Sequence, residues 1–563
     1  YEKFQPLEVA RLALNYLTTM VDPKRDYLPY WLVLPHENPA SARHCRVDDA
    51  ELVASWYEAI VAVRNVLGTD EGREVQEGFK RHLLKSWGEH GLRFHEKYPW
   101  TETIHSSFHE MAYILGTLNR LIREEPENKD AERRASALVR GMRRLVVQRK
   151  VSTFWSGDFH ADEPIYEFPN DVYLEDGGFD LTRHTGRGEQ SIRNGMMLHS
   201  LAVRADRDGD EVALDLACGM ANHLLGVSRY FNYRMEFFGH VHSAVWVASG
   251  LARLGRIARA RRYAEKAKAI FDYVRSLSSS FGWVPEYAQW HPMVEEHCET
   301  CCIKDMIQCA LELVDAGYDE CWDVANSFVR NQLVENQIKN GSFVAVDNSL
   351  PDTVDTIYRD IDKRVVGGFS GGTEVNSISL KAFRSIAGCC VGTAPQALEL
   401  VWDRVVTGRR GKVSVNLPID KDDPRATVES GYPNKGYMRV TPKRAGEVRI
   451  RIYPWMGKGV RIKLDGKTVR PKRRGSYVVL GGVKAGQVVE LRHPLRTVTR
   501  SEVVKEKEFK VLWRGPDVVD ILPHGEPLRL YQRKLGVRKY YPRAPKVGTK
   551  DGGFEAKPTQ QAD

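Results

Sequence analysis

The nine cysteines of this 563-residue chain are unevenly spread. Three fall within His297-Cys298-Glu299-Thr300-Cys301-Cys302, and Cys389 is followed directly by Cys390. Adjacent cysteines are poor disulfide partners for one another and the total is odd, so the pattern points to metal binding or catalysis rather than a disulfide framework. Zinc takes four ligands from Cys, His and carboxylate at about 2.0–2.3 Å. Two arrangements supply them: Glu299, Cys301, Cys389 and Cys390, or Cys298 and Cys301 as a Cys-x-x-Cys knuckle with the same pair. A zinc that only ties two segments together, or several unrelated buried thiols, would leave the same spacing.

Separate helices or loops would carry these clusters. From residue 5 to about 405 apolar residues recur at three-to-four spacing in segments of roughly 12–20 residues. Examples run from Val9 to Met20, Ala50 to Leu67, Phe108 to Arg123, Arg133 to Gln148, Val212 to Val227, Ser243 to Leu254, Ala264 to Leu277, Met306 to Asp315 and Val324 to Val334. About twelve such segments predict a six-hairpin (α/α)6 barrel over residues 1–405. No fixed-period repeat favours a solenoid instead. Connecting loops rich in aromatic and polar groups, such as Phe154 to His160 and Trp283 to Tyr287, predict a cleft at one end.

After residue 406 the period falls to two. Val448 to Ile452 and Val460 to Leu464 alternate, and Asp465-Gly466 is a hairpin-turn signal. An antiparallel β-sandwich is predicted over 406–541, with 542–563 as a C-terminal tail.

Composition is that of a globular chain, 42% hydrophobic and 28% charged. No stretch reaches the ~20 apolar residues that span a bilayer. The net charge of +9 averages two unlike halves. Residues 406–563 hold 36 Lys and Arg against 16 Asp and Glu, a net of +20, which leaves −11 for residues 1–405. A basic module could bind polyanions, but solvated strand faces account for the charge, so no tight nucleic-acid binding is expected. The chain opens at Tyr1-Glu2-Lys3, targeting is unreadable, and a cytoplasmic location is favoured over a secreted one. A homodimer is left open.

Glu299-Thr300-Cys301 followed by Cys389-Cys390 resembles the paired signature of glycoside hydrolase family 127, the β-L-arabinofuranosidases once grouped as a domain of unknown function. Gly239-His240 is similar to that family's Gly-His segment. Ala426 to Ser430, Val448 to Trp455 and Lys484 to Val489 are similar to its sandwich domain. The resemblance covers about residues 200–540. It implies one zinc held by Glu299, Cys301, Cys389 and Cys390, with Cys389 as nucleophile and an oligosaccharide or glycoconjugate as substrate. His240 would line the sugar pocket. The chain departs from the family where Val391-Gly392-Thr393 follows the Cys pair in place of Pro-Pro-Asn. Pro285-Glu286 stands where the family has a Gly-Glu pair, and His184 and His199 are both off register for a second pocket histidine.

A retaining glycosidase needs a nucleophile on one face of the anomeric carbon and an acid/base on the other. Zinc ligation would hold Cys389 as a thiolate. Glu286 is the candidate acid/base, with Glu295 and Glu296 as rivals. Trp283, Tyr287 and Trp290 are candidates for a wall stacking on a sugar ring, and core packing is the alternative for each. The Gly367–Gly372 run lacks the lysine of a nucleotide loop and reads as a mobile loop bordering the cleft. Two other functions compete. One is a six-hairpin glycosidase or lyase using two carboxylates among Asp158, Asp162, Glu163, Asp171 and Glu286. The other is a non-catalytic carbohydrate-binding protein with a structural zinc.

Overall fold

The computed structural model describes residues 1–44, 49–100, 104–149, 163–170, 172–174, 189–289, 297–380, 384–535 and 541–547. Among the described residues, the first 404 positions hold twelve helices of seven residues or more. In chain order they are α1 (Pro6–Thr19), α2 (Asp49–Leu67), α3 (Arg73–Leu83), α4 (Phe108–Glu124), α5 (Lys129–Leu145) and α6 (Met197–Asp208). Then come α7 (Glu211–Asn222), α8 (Val241–Ile257), α9 (Arg261–Leu277), α10 (Thr300–Asp315), α11 (Trp322–Phe328) and α12 (Gly388–Arg404).

The even-numbered helices form a closed ring: α2 packs on α4, α4 on α6, α6 on α8, α8 on α10, α10 on α12, and α12 back on α2. Each odd-numbered helix packs outside an even-numbered neighbour. Burial follows from this placement. Inner α8 is buried along nearly all its length, whereas outer α5 buries only one stripe and carries Arg and Lys on its solvent face. The N-termini of inner helices α10 and α12 meet at one end of the ring.

The structure extends the helical segments read from sequence. Helix α10 starts at Thr300, six residues before the apolar period is evident, because its first turn faces a polar site. Helix α5 stops at Leu145, where the chain turns extended. Gly367–Gly372 is not a mobile loop. Phe369 and Ser370 are buried, and the backbone here bonds to Asn336, Ile338 and Arg384. Gly367 is required because a Cβ there would sit 1.7 Å from the Leu12 carbonyl oxygen.

Two short strands matter for the site. β1 (Gly239–His240) and β2 (Tyr287–Ala288) pair antiparallel, setting His240 opposite Tyr287. Residues 406–522 then form three sheets. Their strands are β3 (Val406–Arg409), β4 (Lys412–Val415), β5 (Lys421–Asp422), β6 (Ala426–Ser430), β7 (Tyr437–Pro442), β8 (Gly446–Arg451) and β9 (Arg461–Leu464). They continue with β10 (Lys467–Val469), β11 (Lys472–Arg474), β12 (Tyr477–Val483), β13 (Val489–Arg492), β14 (Thr497–Val504), β15 (Lys507–Arg514) and β16 (Asp517–Leu522). The sheet orders are β3-β4-β8-β12-β11, β5-β6-β7-β13-β9-β10 and β14-β15-β16. Asp465 and Gly466 both take positive φ, as the expected hairpin turn requires. One pair departs from the antiparallel expectation. β4 and β8 run parallel because the chain crosses into the second sheet between them and returns in the same direction.

The strand region is fastened to the helices by a buried ion cluster. Asp517, fully buried, accepts two bonds at 3.0 Å from Arg330 and one at 2.9 Å from Arg533. Arg533 also reaches Glu335 at 3.2 Å. At the far end, the Ala544 N–H donates to the Ser342 carbonyl, so the first residues of the expected tail lie against the helical part. Removing one member of such a cluster strands buried charge. We expect Asp517→Ala to cost about 3–5 kcal/mol in denaturant unfolding, far more than truncation of the exposed Asp420.

Candidate functional site

Two inner helices begin at the same place. Glu299 occupies the position just before α10 and Cys301 lies in its first turn, while Cys389 and Cys390 lie in the first turn of α12. Neither helix start is capped by a side chain. The Glu299 carboxylate instead turns to the thiols, and both positive helix ends face the same group of acids. Ligand atoms of Glu299, Cys301, Cys389 and Cys390 all lie within 4.8 Å of one another. Cys301 Sγ is 3.4 Å from Cys390 Sγ, and Glu299 Oε1 is 3.8 Å from Cys389 Sγ and 4.0 Å from Cys390 Sγ. Thr393, one turn into α12, donates its hydroxyl to Cys301 Sγ at 3.3 Å.

The approach of α12 is set by a glycine. A Cβ on Gly388 would fall 1.4 Å from the Trp31 ring, so only glycine lets this helix start seat against the indole. Trp56 Nε1 then donates to the Gly388 carbonyl at 2.8 Å.

Electrostatics distinguish the thiols. Cys301 and Cys390 donate to Cys389, outweighing burial, and lower its pKa to about 6. Burial drives Cys301 and Cys390 well above the ordinary thiol range, and Cys389 pushes them further up. Cys389 is also the most accessible of the three, being half-buried where the others are fully buried. Burial would raise the Glu299 carboxyl, but His240 donating to it, with the further charges of His242 and His297, holds it down to about 2. Reciprocally, Glu299 lifts His240 above its ordinary value against burial.

His240 links this cluster to a second carboxylate. Its Nε2 lies 3.3 Å from Glu299 Oε2, and atoms of His240, Glu286 and Glu299 lie within 4.8 Å of one another. Gly239, at φ +139°, brings the chain so close that a Cβ would strike the Glu189 carboxylate. That carboxylate accepts the His240 N–H at 2.9 Å and the Tyr230 hydroxyl at 3.1 Å. Glu286 is placed by backbone bonds to both sides: its N–H donates to the His297 carbonyl and its carbonyl accepts from Val241. Its carboxylate contacts His297 and accepts from Arg384 at 3.1 Å.

Most of the residues singled out from sequence therefore converge. Glu299, Cys301, Cys389 and Cys390 form one group, with Glu286, His240 and Tyr287 around it; the Tyr287 ring lies 5.3 Å from that of His240. Trp283 does not join them as a stacking wall. It is 1% exposed and its Nε1 donates to the Thr373 carbonyl at 3.1 Å, so its faces are spent in the core. The alternative knuckle through Cys298 is also set aside. Cys298 Sγ is buried and accepts from the Val284 N–H at 3.4 Å, and its thiol is pushed up to about 12 by burial. His199 points elsewhere, to Glu312 at 3.2 Å, and Glu163 pairs with Arg262 at 2.7 Å. Asp158, Asp162, Asp171, His184, Trp290, Glu295 and Glu296 lie outside the described residues. Arg384, Glu189 and Trp31 were not anticipated; each is remote in sequence from the residue it meets, and no local pattern marks it, whereas His297 opens the cysteine-rich cluster itself.

No protein-family model matches the sequence. No curated protein matches it either. The fold does have solved relatives. A family 127 β-L-arabinofuranosidase from Geobacillus stearothermophilus T6 superposes with a TM-score of 0.56 at 14% identity, over 91% of this chain and 80% of that one. A second structure described as a family 127 β-arabinofuranosidase gives 0.58 at 15% identity, over 91% and 78%. A third, described as a glycoside hydrolase, gives 0.57 at 12%, over 89% and 84%. The chain thus has the fold of the family that its Glu-x-Cys and Cys-Cys motifs resemble.

In metal-depleted protein the lowered Cys389 thiol is ionised above about pH 6 while its raised neighbours stay protonated. We expect iodoacetamide near pH 7 to modify one of these three thiols, with a rate that rises through pH 6. Peptide mapping should place the adduct on Cys389, and Cys389→Ala should remove it.

Proposed function

We propose that this chain is a retaining glycoside hydrolase with a cysteine nucleophile, an exo-acting enzyme of the β-L-arabinofuranosidase type, built as an (α/α)6 barrel followed by a β-sandwich. The observation that carries the reading is the grouping of three thiols and Glu299 within 4.8 Å, with Glu286 beside Glu299. The fold shared with family 127 enzymes supports it.

The donor set suits zinc. With Zn–S near 2.3 Å and Zn–O near 2.0 Å, tetrahedral geometry sets S–S at about 3.8 Å and S–O at about 3.5 Å, and the S–S separation of 3.4 Å and the S–O separations of 3.8 and 4.0 Å lie within about 0.5 Å of those values. Glu299, Cys301, Cys389 and Cys390 would hold the ion. Bound there, it would neutralise the crowded anions and keep Cys389 deprotonated.

The chain's own groups then divide the work. Cys389 Sγ attacks the anomeric carbon as the glycosidic C–O bond breaks, giving a thioglycosyl enzyme. Glu286 gives its proton to the departing oxygen, then takes one from the water that releases the sugar with retained configuration. Arg384 and His297 hold Glu286 in place. His240 offers hydrogen bonds to sugar hydroxyls, and Tyr287 presents the ring that Trp283 cannot.

The expected outcomes separate the roles. Freshly purified protein should carry about one zinc per chain. Cys390→Ser should lose most of it, whereas zinc-loaded Cys389→Ser should stay folded and lose turnover. Glu286→Gln should slow substrates with poor leaving groups by roughly 10²–10⁴-fold and activated aryl glycosides far less. Equal losses on both substrate types would remove Glu286 from the acid/base role.

A further inference from the structure

The basic charge of the C-terminal half is organised. In the sheet β3-β4-β8-β12-β11, Val413, Val415, Val448 and Ile450 face inward and are buried, so the alternate residues face out. Register then aligns the outward side chains across strands. Arg409 pairs with Lys412, Lys412 with Glu447, Arg449 with Val479, Val479 with Lys472, and Arg474 with Tyr477. Paired residues share a face, so Arg409, Lys412, Arg449, Lys472 and Arg474 share one with a single carboxylate, Glu447. That carboxylate is taken by Arg449 at 2.7 Å and is lowered by its bond from Arg449, with smaller contributions from Lys412 and Arg474. Arg409, Lys412, Lys472 and Arg474 are exposed, and none forms an ion pair among the described residues. The cations lie on three successive cross-strand rows between edge strand β3 and edge strand β11, about 19 Å apart at roughly 4.8 Å per strand, and on β12 buried Val479 and half-buried Tyr477 separate Arg449 from the β11 cations. The row is bounded where Arg451 turns into the helical part and meets Asp319 at 2.8 Å.

We propose that this strip binds an acidic polysaccharide, a chain of uronic-acid units whose carboxylates cross the strands and meet these cations in turn. Five cations against one acid, spread across the strands of one sheet face, fit a linear polymer with regularly spaced single charges. Charge on edge strands discourages strand pairing, but one lysine per edge would serve for that. Nucleic acid fits less well. The described part of the sheet exposes no aromatic ring for bases to stack on, since Tyr477 is half-buried with its hydroxyl donating to Asn416 Oδ1 at 2.8 Å. The choice of a glycan rests on the glycosidase reading above, and the surface would keep that enzyme on a charged polymer while the cleft removes sugars from it.

The test is affinity electrophoresis and calorimetry of the full chain with polygalacturonate, neutral arabinan and single-stranded DNA. Polygalacturonate should bind, lose roughly tenfold in affinity between 50 and 200 mM salt, and bind at least tenfold more weakly to Lys472→Glu/Arg474→Glu. The control Lys463→Glu/Lys467→Glu, on the other sheet, should change binding little. Both double variants should hydrolyse a small aryl glycoside as the parent does, because the strip is outside the cleft. No binding to polygalacturonate, equal losses in the two variants, or equal or tighter binding of DNA would each overturn the proposal. Binding does not require turnover, so a protein that retains polygalacturonate but cleaves no glycoside would sink the glycosidase reading and leave the surface standing.

Discussion

Everything at this site follows from one electrostatic constraint: three thiols and a carboxylate share a part-buried space less than 5 Å across. Left to themselves, only some of these groups can be anionic. Glu299 and Cys389 take the charge, while Cys301 and Cys390 are driven to stay protonated and donate to Cys389. A divalent cation would allow all four to be anions, and the converging N-termini of α10 and α12 already supply part of the positive potential. The arrangement is costly for a core and economical for holding a thiolate.

The helical ring exists to meet that constraint. Closing α2, α4, α6, α8, α10 and α12 on themselves brings residues almost ninety positions apart into one first-turn contact. Two glycines set the fine placement: Gly388 lets α12 reach Trp31, and Gly239 lets β1 pass Glu189 so that His240 faces Glu299. The second carboxylate arrives by a different route, on an irregular strand beside β2, where Arg384 and His297 anchor it. The thiol group and the second carboxylate are therefore positioned by separate elements.

Part of this was legible in the chain. Glu299, Cys301 and the Cys389–Cys390 pair stand out because ligand spacing along a first helical turn is a local property. The apolar period gives the helices, and the drop to period two gives the strands. Helix α12 was harder to see, since Gly392, Thr393 and Pro395 weaken its helical pattern and its first turn is built for thiols. Trp283 and Tyr287 look alike in sequence; only packing shows that the first spends its faces in the core. Arg384 and Trp31 were invisible because their partners are distant in sequence. The parallel β4–β8 pair was invisible for a related reason, since it depends on where the chain crosses between sheets.

The central claim is that sulfur, not oxygen, attacks the sugar. The most direct measurement is mass-spectrometric mapping of the zinc-loaded protein after reaction with a glycone-matched epoxide or haloacetamide inactivator. The account predicts a single adduct on Cys389, formed in step with loss of activity and absent from Cys389→Ser. An adduct on Glu286 or any other carboxylate, with Cys389 unmodified, would contradict it.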